Sequence, residues 1–178
     1  MTSRLLVALS LCFYSCLALA QTDWREGVVF PKYVGALHSG SGFSGMLVAT
    51  SNSEWDDNWT IVPDALPDFH RVENVTKGEQ IFVLTFFSNP TVNEYQAVDI
   101  ACDLQLVKPD GSASFSKKDV ACFQGMLVGN VTDLTMAIPV IGFTSEEGDP
   151  KGVWKVNVTL KDKLGKQQIP MTVSFTNK

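Results

Sequence analysis

The sequence predicts an all-β fold: an antiparallel sandwich of about seven strands behind a loop-rich N-terminal extension. Three observations carry that prediction. Apolar and polar residues alternate with period two in successive runs from residue 79 onward, turn-forming clusters separate those runs at regular spacing, and little reads as a long amphipathic helix. The 178 residues, 45% of them apolar, suit one domain with its own core. A charged fraction of 19% alongside 11 Phe and 4 Trp excludes a disordered chain. With 19 acidic against 14 basic residues, the chain lacks the positive face that a nucleic-acid binder needs to displace counterions.

Residues 1–20 read as a secretory signal peptide. Arg4 supplies the charged start, Leu5 to Leu19 the apolar stretch, and Ala18-Leu19-Ala20 the small-residue exit before Gln21. The stretch is shorter than the roughly 20 residues that span a bilayer. No later segment is long and apolar enough either, so no stable membrane insertion is expected. Cys16 is preceded by Phe13-Tyr14-Ser15, where a lipid-anchoring motif has Leu at the first position and a small residue at the second. Cleavage near Ala20 predicts a secreted or periplasmic protein. It removes Arg4 and no acid, making the net charge one more negative than the −5 of the whole chain.

Residues 21–78 form the loop-rich extension. Gly35, Gly40, Gly42 and Gly45 mark one flexible run, and Pro63 and Pro67 an extended one, with strands expected at Phe43 to Thr50 and Trp59 to Val62. The sandwich proper is expected over 79–178. Its first strand, Glu79 to Ser88, is apolar on both sides: Ile81, Val83 and Phe87 on one, Phe82, Leu84 and Phe86 on the other. A sandwich strand needs one apolar face, so the N-terminal extension is expected to cover the second. Val98, Ile100, Cys102, Leu104 and Leu106 then alternate with a face carrying Asp99, Asp103 and Gln105, and Lys108-Pro109-Asp110-Gly111 makes a tight turn. An apolar run at Met126 to Val128 and a longer one from Leu134 to Phe143 follow, the latter marked by Pro139 as an edge or a bulge. Last comes a hairpin. Trp154, Val156, Val158 and Leu160 share one face, Asp162-Lys163-Leu164-Gly165 turns the chain, and Met171, Val173 and Phe175 return.

Cleavage also removes Cys12 and Cys16. Cys102 and Cys122 are left as a pair in an oxidising compartment, and without C-x-x-C spacing they predict a structural disulfide, not a redox centre.

Two stretches carry a resemblance. Asp149-Pro150-Lys151-Gly152-Val153-Trp154-Lys155-Val156-Asn157-Val158, with Asp162 and Gly165 behind it, resembles the final hairpin of bacterial immunoglobulin-like or macroglobulin-like domains. Val107-Lys108-Pro109-Asp110-Gly111 resembles a hairpin of the same domains, which recur in secreted bacterial proteins of this plan. The likeness covers residues 79–176 and implies an immunoglobulin-like sandwich. It marks fold and not activity.

Candidate site residues are few. Trp55, Asp56, Asp57 and Trp59, with Glu54 and Asn58, gather acids and indoles into six positions that offer calcium ligands or a sugar-stacking surface, without the D-x-D-x-D-G spacing of a calcium loop. Glu146, Glu147 and Asp149 form an acidic loop before the last hairpin, read as solvated. Asp99 and Asp103 could pair for acid and base work, but a solvent-facing strand offers no cleft to raise one pKa. Nothing near His38 or His70 in the sequence marks a nucleophile, and no nucleophile elbow, zinc helix or phosphate loop occurs. Neither metal nor cofactor is expected. Asn58, Asn74, Asn130 and Asn157 each begin an N-x-S/T triplet, the pattern glycosylated on a eukaryotic secretory route and one that a chain rich in Val and Thr also generates by composition. The reading that follows is a non-catalytic secreted module whose partner is another protein. The alternatives are an enzyme with a loop-built site from Glu54 to His70, or a carbohydrate-binding module using Trp55 and Trp59.

Overall fold

The structure, a computed structural model, describes residues 36–38, 42–51, 53–55 and 72–178. The expected signal peptide, Asp56, Asp57, Asn58, Trp59 and His70 lie outside them. Nine strands are present among the described residues: β1 (Ala36–His38), β2 (Ser44–Thr50), β3 (Asn74–Val75), β4 (Gln80–Ser88), β5 (Ala97–Val107), β6 (Ala113–Met126), β7 (Thr135–Thr144), β8 (Gly152–Asp162) and β9 (Gln167–Asn177). They form two sheets, ordered β1-β2-β4-β7 and β3-β9-β8-β5-β6, and every pairing is antiparallel except that of β3 with β9. The count exceeds the expected seven chiefly through β1 and β3, of three and two residues.

From β4 onward the chain crosses between sheets at β4–β5, β6–β7 and β7–β8, and stays within one sheet at the β5–β6 and β8–β9 hairpins. That is the Greek-key path of an immunoglobulin sandwich: β4 and β7 stand as strands B and E, and β5, β6, β8 and β9 as C, C′, F and G. From the segment before residue 79, β2 pairs along β4 and β3 along β9.

The interior follows the alternation. Ile81, Val83 and Phe87 of β4 meet Ile100, Cys102 and Leu104 of β5 and Trp154, Val156, Val158 and Leu160 of β8. Trp154 is 1% exposed; its ring lies 4.8 Å from that of Phe143, and its indole N–H donates to the Pro150 carbonyl at 2.9 Å. Phe175 completes this aromatic group, 4.9 Å from Phe143. Within the hairpin, Trp154 stands opposite Phe175, Val156 opposite Val173 and Val158 opposite Met171, the register the alternation predicts. At Gly45 of β2 the sheets come close: a Cβ there would lie 2.8 Å from Leu160 Cδ1 and 3.1 Å from Met171 Cε, so only glycine fits without displacing the core.

The second apolar face of β4 is buried too. Leu84 and Phe86 form a separate cluster with Met46 and Val48 of β2, against which Trp55, Phe82, Leu134, Met136 and Val140 pack. From the segment expected to cover this face, Trp55 lies with its ring 6.2 Å from that of Phe82.

Two elements differ from the sequence reading. β6 runs from Ala113 to Met126, where only Met126 to Val128 had been marked, because its first seven residues are all exposed and carry no apolar period. Cys102 and Cys122 are bridged as expected, with Cα atoms 5.9 Å apart, but between neighbouring strands of one sheet, so the bridge fastens the edge strand β6 to β5. Pro139 does mark an edge strand, and the register of β7 against β4 shifts beside it.

Candidate functional site: three loops at one end of the sandwich

The end of the sandwich formed by the close of β4, β6 and β8 carries three connections, residues 89–96, 127–134 and 163–166. Each owes its shape to short polar side chains. In the first, the Asn93 side-chain oxygen accepts from the backbone N–H of Tyr95 at 2.9 Å and of Ala97 at 3.0 Å, which turns the chain and holds Tyr95 outward. In the second, Asp133 accepts from the backbone N–H of Asn130 at 2.7 Å and its own N–H donates back to the Asn130 carbonyl at 3.0 Å. In the third, the buried Asp162 accepts from the N–H groups of Leu164 at 3.1 Å and Gly165 at 2.9 Å.

The loops are also tied to one another. Asn89 N–H donates to the Val131 carbonyl at 2.7 Å, joining the first loop to the second. Thr91 N–H donates to the other oxygen of Asp162 at 2.8 Å, joining the first to the third. Gly165 fits against this junction because a Cβ would strike Thr91 Oγ1 and come within 2.5 Å of Asp162 Oδ2. Three of the four non-glycine residues with left-handed backbone among the described residues, Asn89, Gln96 and Lys166, stand in these loops. Backbone in that region is held only where its surroundings enforce it, and it gathers at functional sites.

Among exposed polar residues such as Glu94, Gln96 and Lys166, this end presents large apolar side chains. Tyr95 is 72% exposed, Met126 69%, Val128 61%, Leu164 40% and Val131 38%. These are five of the eight large exposed apolar side chains among the described residues. Single exposed apolar residues are ordinary on any surface; four on connected loops that sequence rules would make polar, with Met126 at the end of β6 beside them, are not.

Beside this end, the outer face of the five-stranded sheet carries a charged cluster. Lys161 Nζ reaches Asp103 at 2.7 Å and Asp119 at 2.9 Å, and Lys163 Nζ reaches Asp119 at 2.8 Å. The backbone N–H of Asp119, a left-handed residue in β6, donates to Asp103 at 2.9 Å. Hydrogen bonds from Lys163 and then Lys161 hold the Asp119 carboxyl at about 2, and Lys161 and the Asp119 N–H hold Asp103 below its ordinary value. The same bonds, that to Asp103 first, raise Lys161. Both acids are therefore ionised at neutral pH and committed to lysines, so neither serves as a general acid there. Asp103, read from sequence as a solvated carboxylate, is a cross-strand tie between β5, β6 and β8. Asp99 accepts from the Gln124 side chain at 3.1 Å.

An open hollow of about 220 Å³ between the charged cluster and the last turn is lined by Lys161, Asp162, Lys163, Lys166, Gln167 and Gln168. It is smaller than the roughly 300–1,000 Å³ of small-molecule sites. The acidic loop before β8 is spent on local bonds: Asp149 accepts from the Glu146 N–H at 2.9 Å, and Glu147 pairs with Lys77 at 2.7 Å. No cluster of three or more His, Cys, Asp or Glu suited to a metal ion occurs among the described residues.

Of the residues marked from sequence, Trp55 is half-buried against Phe82, Glu54 is exposed, and His38 is a β1 position. The three-loop end was not marked. Its signal was present as apolar residues inside turn chemistry: Tyr95 in Asn-Glu-Tyr-Gln, Val128 and Val131 around Gly-Asn, and Leu164 in Asp-Lys-Leu-Gly.

No protein-family profile matches the chain, and no curated protein matches it. Solved structures do. A family 123 glycoside hydrolase from Clostridium perfringens aligns over 74% of this chain at 7% identity and a TM-score of 0.42, with the chain spanning 27% of that enzyme's length. A Niemann-Pick type C2 protein from the Japanese carpenter ant aligns over 82% of this chain and 93% of its own at 13% identity and a TM-score of 0.39. The CARDB domain of a Pyrococcus furiosus protein, solved with di-metal ions, aligns over 60% of this chain and 81% of its own at 9% identity and a TM-score of 0.37. The architecture rests on the strand order itself: an all-β, immunoglobulin-like sandwich with the Cys102–Cys122 disulfide.

Proposed function

We propose that the chain is a non-catalytic, secreted binding module that engages a partner protein through the three-loop end. The observation that carries this reading is the exposed set Tyr95, Val128, Val131 and Leu164, with Met126 at the end of β6, on and beside loops fixed to each other by hydrogen bonds from Asn89 and Thr91. Aromatic and methionine side chains are enriched in interface centres, and loops already held in place lose little entropy on binding. In immunoglobulin sandwiches, loops at one end of the sheets serve recognition while the sheets supply rigidity. Secretion is supported by the Cys102–Cys122 bridge, which persists in oxidising compartments, and by the signal-peptide pattern of residues 1–20.

Co-purification from the native host tests the reading, with wild type compared against the pair Tyr95→Ala and Met126→Asp. The expected result is a partner retained by wild type and lost by the variant, while the variant's melting temperature is unchanged. Equal retention by both proteins, or no partner with either, overturns it.

A further inference from the structure

The two long strands at the sheet edges are protected differently. Among the described residues, β6 hydrogen-bonds only to β5 and β7 only to β4, and neither has a described strand on its other side to meet its row of backbone N–H and C=O groups. In β6 that row is interrupted. Lys117, Lys118 and Asp119 stand in mid-strand, Asp119 is left-handed, and the register against β5 shifts in three places, all features that keep an edge from pairing. In β7 it is not charged at all: Thr-Met-Ala-Ile-Pro-Val-Ile-Gly-Phe-Thr contains no ionisable side chain. Its one interruption is at Pro139, beyond which Ile141, Gly142, Phe143 and Thr144 run in regular register along Val83, Phe82, Ile81 and Gln80.

A free strand edge dictates the backbone of whatever covers it, because only another extended segment returns its hydrogen bonds. We propose that the occupant is β7 of a second copy, paired antiparallel about a two-fold axis so that two four-stranded sheets become one. Pairing across a two-fold axis requires a self-complementary edge. β7 meets that requirement, since an uncharged strand brings no repulsion to its own copy although the chain as a whole carries a net charge of −5. Two further features fit. Ile138 is 58% exposed on this edge strand, and Val140 and Met136 belong to the outer apolar cluster, which the pairing would continue from one copy to the next.

So short a joint makes a weak, concentration-dependent dimer. Sedimentation equilibrium of the purified protein from micromolar to millimolar concentration is expected to show the mass rise from one protomer towards two. Ile138→Lys, which gives β7 the kind of charge that guards β6, is expected to weaken association about tenfold or more by placing two lysines at one joint. Its unfolding midpoint at low concentration should match wild type, and Thr144→Lys, at another exposed position, repeats the test. Tyr95→Ala should leave association unchanged. In wild type, amide hydrogen exchange within 140–144 should slow as concentration rises. A single-protomer mass throughout, a dimer that both lysine variants leave intact, or one that Tyr95→Ala dissolves would overturn the proposal without touching the function assigned to the loop end.

Discussion

Asp162→Asn probes the junction on which the loop end depends. Asp162 is 1% exposed and accepts three backbone N–H groups, from Thr91 on one oxygen and from Leu164 and Gly165 on the other. The amide keeps the shape and one acceptor oxygen. Turned to serve Leu164 and Gly165, it points an NH2 group at the Thr91 N–H, donor against donor. Losing one hydrogen bond to a charged acceptor costs about 1.5–3 kcal/mol, and reducing two others from charged to neutral costs about another 1 kcal/mol or more. The expected destabilisation is therefore about 2.5–4 kcal/mol, a melting temperature lowered by about 5–16 °C for a domain of this size. Urea melts give the free energy, and amide exchange gives its location: Thr91, Leu164 and Gly165 should exchange faster out of proportion to the global change. A loss below about 1 kcal/mol with Thr91 still protected would refute the claim that this carboxylate holds the loops together.

Trp154→Ala should cost about 3–5 kcal/mol in a denaturant melt, since it empties a buried site against Phe143; a loss under about 1 kcal/mol would misplace the indole. Mass spectrometry of the non-reduced, alkylated protein should find Cys102 and Cys122 joined, and replacing both by Ser should cost about 3 kcal/mol from the freed loop of 20 residues. The charged cluster predicts two pH limbs. The lowered carboxyls of Asp103 and Asp119 contribute stability that is complete above the ordinary 3.8 and lost as pH falls towards about 2, while the raised Lys161 contributes stability that is complete below 10.5 and lost as pH climbs past it. Asp119→Asn should flatten the acid limb in pH-dependent melts; an unchanged limb would place the acid sensitivity elsewhere.

What could be read from the chain depended on whether the cause was local. The β8–β9 hairpin was legible because Trp154, Val156, Val158 and Leu160 alternate over a buried face, and burial imposes that period. The turn at residues 108–111 was legible from its residues alone, and Gly111 is left-handed with its N–H bonded to the Lys108 carbonyl. β6 was not legible, because an exposed edge imposes no apolar period and its pairing comes from β5 and the disulfide. Both apolar faces of β4 were visible, but that the second packs with Met46, Val48 and Met136 follows from sheet order, which no local pattern encodes. The three-loop end was hidden for the same reason. Residues 95, 128 and 164 share one end only because two crossings between the sheets and the β8–β9 hairpin all turn there.

The measurement that bears most directly on the binding assignment is site-specific photo-crosslinking in the native host, with the reactive group at position 95 and, as control, at the exposed Lys155 near the other end of β8. The account predicts one covalent protein adduct from position 95, none from position 155, and loss of the first in a Met126→Asp background. Equal adducts from both positions, or none from position 95, would contradict it.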